Sequence, residues 1–245
     1  MAPEPVAATS SSDAANSTGA GVQPWWNQYK STDVLAWDSE HVAVIKGQKI
    51  VKGKVKNICE TVAATVDVVN TALEPVLSKK VFHAPGTFLC NSYTRAINGF
   101  TKTEFADETL PSLDQVRDEV KDLFRGKLVV TCGGISDYHA LNLAMNGEDF
   151  DTFDLQSHWF IDKVNEHGVT IREQHSLRSL ANYYLKDEIQ TGRHTSLDDA
   201  IATMKLFEVY KRVKLVDDPE NAMLKVNECR AYNNIPVVIK KVGKK

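Results

Sequence analysis

The stretch SLDQVRDEVKDLFRGKLVVTCGG, residues 112–134, constrains the fold of this chain most. Leu113, Val116, Val120, Leu123 and Phe124 recur at helical spacing, which predicts a helix with one apolar face. Ser112 and Gln115 fit a capping box at its start, and Gly126 stands where a helix stops. The apolar run KLVVT follows at once and reads as a short buried strand, after which Gly133 and Gly134 turn the chain. A helix feeding directly into a buried strand calls for a sheet with helices packed on it.

The flanking segments supply the rest of that sheet. Upstream, VLAWD ends at Asp38, ETVAATVDVVNT alternates around Val66 and Val68, and PVLSKKVF follows a turn at Glu74–Pro75. Three strands in quick succession predict an antiparallel meander. Downstream come an amphipathic segment at 136–145, a strand DTFDL, a helix from Ser176 to about Lys186 and another from about Ser196. The expected fold class is α/β, a mixed five-stranded sheet flanked by helices. Residues 1–23, rich in Ala, Ser, Pro and Gly, are expected to be disordered. The domain spans 24–212, with Trp25 and Trp26 capping an edge of the core, and 213–245 forms an extension with a basic end, IKKVGKK. That end reads either as a phosphate contact or as a weak nuclear-import signal.

Charge and cysteine usage narrow the function classes. The formal net charge of −3 advertises no polyanion partner, so a nucleic-acid surface has to be local or assisted by metal ions. Cys59, Cys90, Cys132 and Cys229 form no C-x-x-C pair, which argues for free thiols rather than a zinc site. No apolar run reaches membrane-spanning length and no secretory pattern opens the chain. An intracellular protein of nucleus or cytoplasm is expected.

Three places hold candidate chemistry. Asp38 and Glu40 lie two apart at the end of an apolar strand, so both point to one face, where a cation would relieve their repulsion. The bland alternative is a strand running out into solvent. Asp137 follows the glycine turn, where it also suits a helix N-terminus. Asp199 comes three residues after Ser196, the expected N-cap, and His194 precedes both. Capping accounts for Asp199 equally well.

In combination, DSE (38–40), LFRGKLVVTCGGISDYHAL (123–141) and HSLRSLANYYLKDEIQTGRHTSLDDAIATMKLF (175–207) resemble the three blocks of DEDDh 3′→5′ exonucleases. The resemblance covers about 33–212 and is greatest to the interferon-stimulated exonuclease and RNA exonuclease 4 group. It implies a ribonuclease H-like fold and two Mg²⁺ or Mn²⁺ ions, which suit hard carboxylate ligands. It also implies roles for five side chains. Asp38 would bridge both ions, Glu40 and Asp199 would serve the nucleophile's ion, Asp137 the second, and His194 would take the proton from water. The implied substrate is single-stranded RNA, with DNA as the alternative.

The chain departs from the family at Ser39, where Cys is usual, at His41, where a hydrophobic residue is usual, and at TCGG, where Gly-His is common. His41 thus stands where relatives approach the 3′-terminal nucleotide. Tyr138, with His139 and Phe100, is a candidate for base stacking. KGQKIVKGKVK (46–56), with five lysines and no acid, reads as a solvated, mobile hairpin or a phosphate-tracking arm between the first two strands, with Lys52 and Lys54 as substrate contacts. Two other function classes stay open: a silent nucleic-acid-binding module of the same fold, and an interaction scaffold using the tail and PWW.

Overall fold

A computed structural model describes residues 24–217 apart from 90–97, 102, 146–148 and 165–166; the N-terminal tail, Cys90, Cys229 and the basic C-terminal end lie outside the described residues. The alternating apolar segments form β1 (Val34–Val51), β2 (Lys54–Asn70) and β3 (Pro75–Lys80), an antiparallel meander. A two-residue β4 (Phe88–Leu89) pairs with β1. The capping box at Ser112 and Gln115 is present and opens α1 (Leu113–Phe124), which leads to β5 (Leu128–Thr131). After α2 (Ile135–Ala140) comes β6 (Asp151–Asp154). Strand order is β3-β2-β1-β5-β6, with β5 and β6 parallel to β1. The sheet is therefore mixed and six-stranded rather than five-stranded, because β4 was too short to read as a strand.

Alternation along β1 assigns its side chains to two layers. Val34 and Ala36 join Val69, Leu128, Val130, Phe153 and the buried face of α4 (Ser196–Asp217). Leu35 and Trp37 join Val66, Val68, Val129 and Tyr138 with Val116, Val120 and Phe124 of α1. Trp25 and Trp26 are buried against Phe153, Phe207 and Tyr210, which fastens the start of the domain to the α4 side.

A second sheet, β7 (Phe160–Val164) with β8 (Thr170–Gln174), was not foreseen; it forms an antiparallel hairpin of its own. The helix expected from Ser176 divides into α3 (Leu177–Leu180) and a π turn, Ala181–Leu185, ended by Lys186 in the left-handed region. The lysine-rich segment is a hairpin, as expected, but it is the outer half of β1 and β2 themselves rather than a connection between them, joined by a tight turn at Lys52 and Gly53, both with positive φ as a type I′ hairpin turn requires.

The Tyr138 expectation is corrected here. Its ring is fully buried, edge-on to Trp37 at 5.0 Å and stacked on Phe150, so no base can reach its face. Phe100 is likewise buried, against Phe105 at 4.7 Å. The cause in each case is the pull of apolar area out of water.

Phe124 ties α1 to the sheet through Trp37 and Phe150. Phe124→Ala is predicted to lower unfolding stability by about 3–5 kcal/mol, measured as a shift of the denaturant midpoint at constant slope. An unshifted midpoint would contradict this packing.

Candidate active site

The site forms where the parallel strands part. β1 pairs with β5 only through Ala36↔Val130, so the next residues of β1 pass beyond the end of its neighbour. Asp38 and Glu40 continue the period of Val34 and Ala36 and so share the α4 side. A register shift between Glu40 and His41 kinks the β1–β2 ladder beside the second acid.

Asp199 arrives from the first turn of α4, but not as the expected cap partner of Ser196. Thr195 takes the capping role: its Oγ1 accepts from Asp198 N at 3.2 Å and donates to Asp198 Oδ2 at 2.8 Å. The cap lies one residue earlier than expected because Thr195 and Ser196 are both good capping residues. This shift frees Ser196 to donate to Asp67 Oδ2 at 2.5 Å and leaves Asp199 facing the sheet. His194, just before the cap, places Nδ1 3.0 Å from Glu40 Oε1 and 3.1 Å from Asp199 Oδ2.

Asp137 reaches the same place from α2. Gly133, at φ +81°, makes the turn after β5, and its N–H donates to Asp154 Oδ1 at 2.9 Å. A Cβ on Gly134 would fall 2.5 Å from Thr131 Cβ, so the second glycine is needed for α2 to start this close to the strand end. Asp137 is buried; its Oδ1 accepts from Ser39 N at 3.1 Å and Ser39 Oγ at 2.7 Å. His41 Nε2 lies 2.8 Å from Ser39 Oγ and 3.3 Å from Asp137 Oδ1. Two of the departures from the family pattern, Ser39 and His41, thus meet on one of the four acids.

Several groups in this cluster were missed. Asp67 pairs directly with Asp38 across the β1–β2 ladder and is buried; as an acid on an alternating strand it reads as solvent-facing. Gln190 donates to Asp199 Oδ2 at 2.7 Å, and Asn98 donates to Glu40 Oε2 at 3.3 Å. Both come from loops without periodicity, although Gln190's positive φ marks a strained position of the kind that gathers at functional sites. Lys52 and Lys54 do not belong to the cluster. Lys52 lies twelve residues beyond Glu40, at the turn that ends β1, roughly 40 Å away if straight.

The electrostatics follow from crowding. Burial pushes the Asp38 carboxyl well above its ordinary range, and Asp137, Asp199, Glu40 and Asp67 push it further. Burial also raises Glu40 and Asp199, while His194 pulls both back. Asp154, raised by burial, is held by backbone N–H groups of the glycine turn and serves as its anchor. Burial and three nearby acids lift the Cys132 thiol, which makes it a poor nucleophile.

The donor set fits a hard divalent cation. Buried oxygens Asp199 Oδ1 and Asp67 Oδ1 have no hydrogen-bond donor, a cost that a cation would offset. Glu40, His194 and Asp199 each offer a ligand atom within 4.8 Å of the others, with Asp38 and Asp137 beside them.

The fold is ribonuclease H-like. Solved structures of similar fold include the Neurospora crassa Pan2 catalytic unit, protease and nuclease domain (TM-score 0.56, 19% identity, 78% of this chain and 29% of that one). The Saccharomyces cerevisiae Pan2 pseudoubiquitin hydrolase-RNA exonuclease module is similar without RNA (0.58, 21%, 85% and 33%) and with AACCAA RNA (0.55, 19%, 86% and 34%). The exonuclease family of RNase T type matches residues 55–207, more than half of the sequence, and the chain belongs to that family. The matched region holds Asp137, His194 and Asp199 and begins after Asp38 and Glu40. RNA exonuclease 4 of Gibberella zeae is 36% identical over 105 residues, which are 42% of this chain and 30% of that protein.

The raised acids set a pH rule for the metal-free protein. An acid whose folded pKa lies above its unfolded value favours folding while protonated, below ordinary values of 3.8 for Asp38 and Asp199 and 4.5 for Glu40; that contribution is lost as pH rises through the folded values. Asp38→Asn is therefore predicted to melt higher than wild type at neutral pH without metal, the gap closing toward about pH 4. Mn²⁺ should raise the wild-type midpoint more than the variant's. A variant that melts lower than wild type at neutral pH would contradict the crowding.

Proposed function

We propose that this chain is a metal-dependent exonuclease that shortens single-stranded RNA from its 3′ end, releasing nucleoside monophosphates. The observation that carries this reading is the meeting of Glu40, Asp199 and His194 on the α4 side of β1, with Asp38 and Asp137 alongside. Family membership supports nuclease chemistry. The RNA exonuclease 4 relative and the RNA exonuclease module of similar fold support RNA as substrate. The chain spans about a third or less of those proteins, so substrate and polarity are this chain's own questions.

Asp38, Glu40, Asp137 and Asp199 would hold two divalent ions, Mg²⁺ or Mn²⁺. When bound, these supply an acidified water and countercharge for the departing oxygen, the two needs of phosphodiester hydrolysis. His194 takes the proton of the attacking water; imidazole is the side chain suited to proton exchange near neutral pH. Glu40 and Asp199 face its Nδ1, which favours a proton on that nitrogen and leaves Nε2 as the base that takes the water's proton. Gln190 and Asn98 restrain the two carboxylates, and Ser39 fixes Asp137 to the backbone between Asp38 and Glu40. His41, hydrogen-bonded into the Asp137 corner, stands beside the acids, where the end of the substrate would enter.

A 5′-labelled oligoribonucleotide with Mn²⁺ tests this. The predicted result is a ladder of shortened products that vanishes with Asp38→Asn and slows by about 10²–10⁴-fold with His194→Ala. Binding without shortening would favour the silent module instead. Faster shortening of the matching deoxyribonucleotide would make DNA the substrate.

A further inference from the structure

The outer hairpin is unlike the rest of the fold. Beyond the β4 contact at Ala43 and Val44, β1 and β2 continue as a two-stranded ribbon paired from Ile45↔Cys59 to Val51↔Lys54. No other described strand joins it there. An isolated ribbon is at best marginally stable. This one also carries burdens that its own structure does not repay.

The first burden is charge. Lys49 and Lys56 are directly opposite each other, and Lys54, two positions on, lies on the same face. Lys52 occupies the turn at the tip. Like charges opposite one another destabilise a strand pair. Lys46 pairs with Glu60 at the base at 2.9 Å, but among the described residues Lys49, Lys52, Lys54 and Lys56 have no carboxylate partner. The second burden is apolar area. On the opposite face Ile50 and Val55 pair at 77% and 64% exposure. A ribbon built only to stay soluble would not display these. One lysine-bearing face, an exposed apolar pair on the other and an I′ tip make a preformed binding element for a polyanion with apolar surface, which describes a nucleic-acid strand.

The ribbon is also the direct continuation of the strand that carries Asp38 and Glu40. Lys49 lies nine residues beyond Glu40, roughly 30 Å along the strand, and the tip roughly 40 Å. We propose that this arm grips the RNA backbone at a distance from the 3′ end under attack, so that the enzyme selects RNAs long enough to fill both the acidic site and the arm. The inference rests on the nuclease reading for the site and adds substrate length as what the chain discriminates. It also accounts for how an acidic chain holds a polyanion: the charge is concentrated on one projection.

The test compares the whole chain with its Lys49→Gln, Lys52→Gln, Lys54→Gln, Lys56→Gln quadruple variant. Fluorescence anisotropy in EDTA measures binding to a hexauridylate and to an oligouridylate of about 24 nucleotides, from about 50 to 200 mM KCl. The variant should bind the long RNA at least about ten-fold more weakly and the short one less than about two-fold more weakly. Its salt slope on the long RNA should fall by about 0.7 for each lysine that meets a phosphate. Arginine at the same four positions should restore both readings. Equal weakening on both lengths, or no weakening on either, would overturn the proposal. So would a wild-type dimer in sedimentation that Ile50→Ser with Val55→Ser dissociates while long-RNA binding is kept, since the arm would then serve self-association. The two readings fail separately. A length effect in EDTA without any shortening in Mn²⁺ removes the nuclease and keeps the arm, whereas shortening with no length effect removes the arm alone.

Discussion

Mutual repulsion of carboxylates gathered out of water is the constraint on which this structure turns. Asp38 is flanked by Glu40 on its own strand, by Asp67 across the ladder, and by Asp137 and Asp199 from two helices. Two like charges about 4 Å apart repel by about 4 kcal/mol at an effective dielectric near 20, while a typical hydrogen bond returns about 1 kcal/mol. The surrounding donors Ser39, Ser196, Gln190 and Asn98 cannot settle that imbalance alone. His194 lies between two of the acids, and two buried carboxylate oxygens still lack a donor. The cluster is built to receive positive charge.

The fold tolerates this because the part of the sheet next to the site packs apolar side chains on both faces. β5 ends at Thr131 while β1 runs on, and this difference in length opens the notch. The two glycines let α2 begin hard against the strand end, and the Thr195 cap sets the first turn of α4 so that Ser196 and Asp199 both face β1 and β2. Each device is local, yet together they bring residues from four elements into one volume.

Where the sequence was legible, the signal was a period. Helix α1 with its capping box, the buried strand β5 and the three meander strands all follow from spacing of apolar residues, and Asp38 and Glu40 inherit their common face from the same alternation. Illegible features had other origins. Asp67 has the period of an outward-facing residue and is inward only because α4 covers that side of the sheet. Gln190 and Asn98 are brought in by loops, which carry no period. The outer hairpin was legible, but its continuity with β1 and β2 was not, since its lysines break the apolar alternation that marks the inner halves of those strands. Tyr138 shows the reverse error. An aromatic beside an active-site acid invites a functional role, but on a helix the adjacent residue points about 100° away, here into the Trp37 layer.

Anomalous diffraction from a crystal of the chain soaked in Mn²⁺ tests the central claim most directly. The account predicts manganese within coordinating distance of Asp38, with Glu40, Asp137 and Asp199 supplying the other protein oxygens. Manganese bound only elsewhere on the chain, with these four carboxylates unliganded, would contradict it.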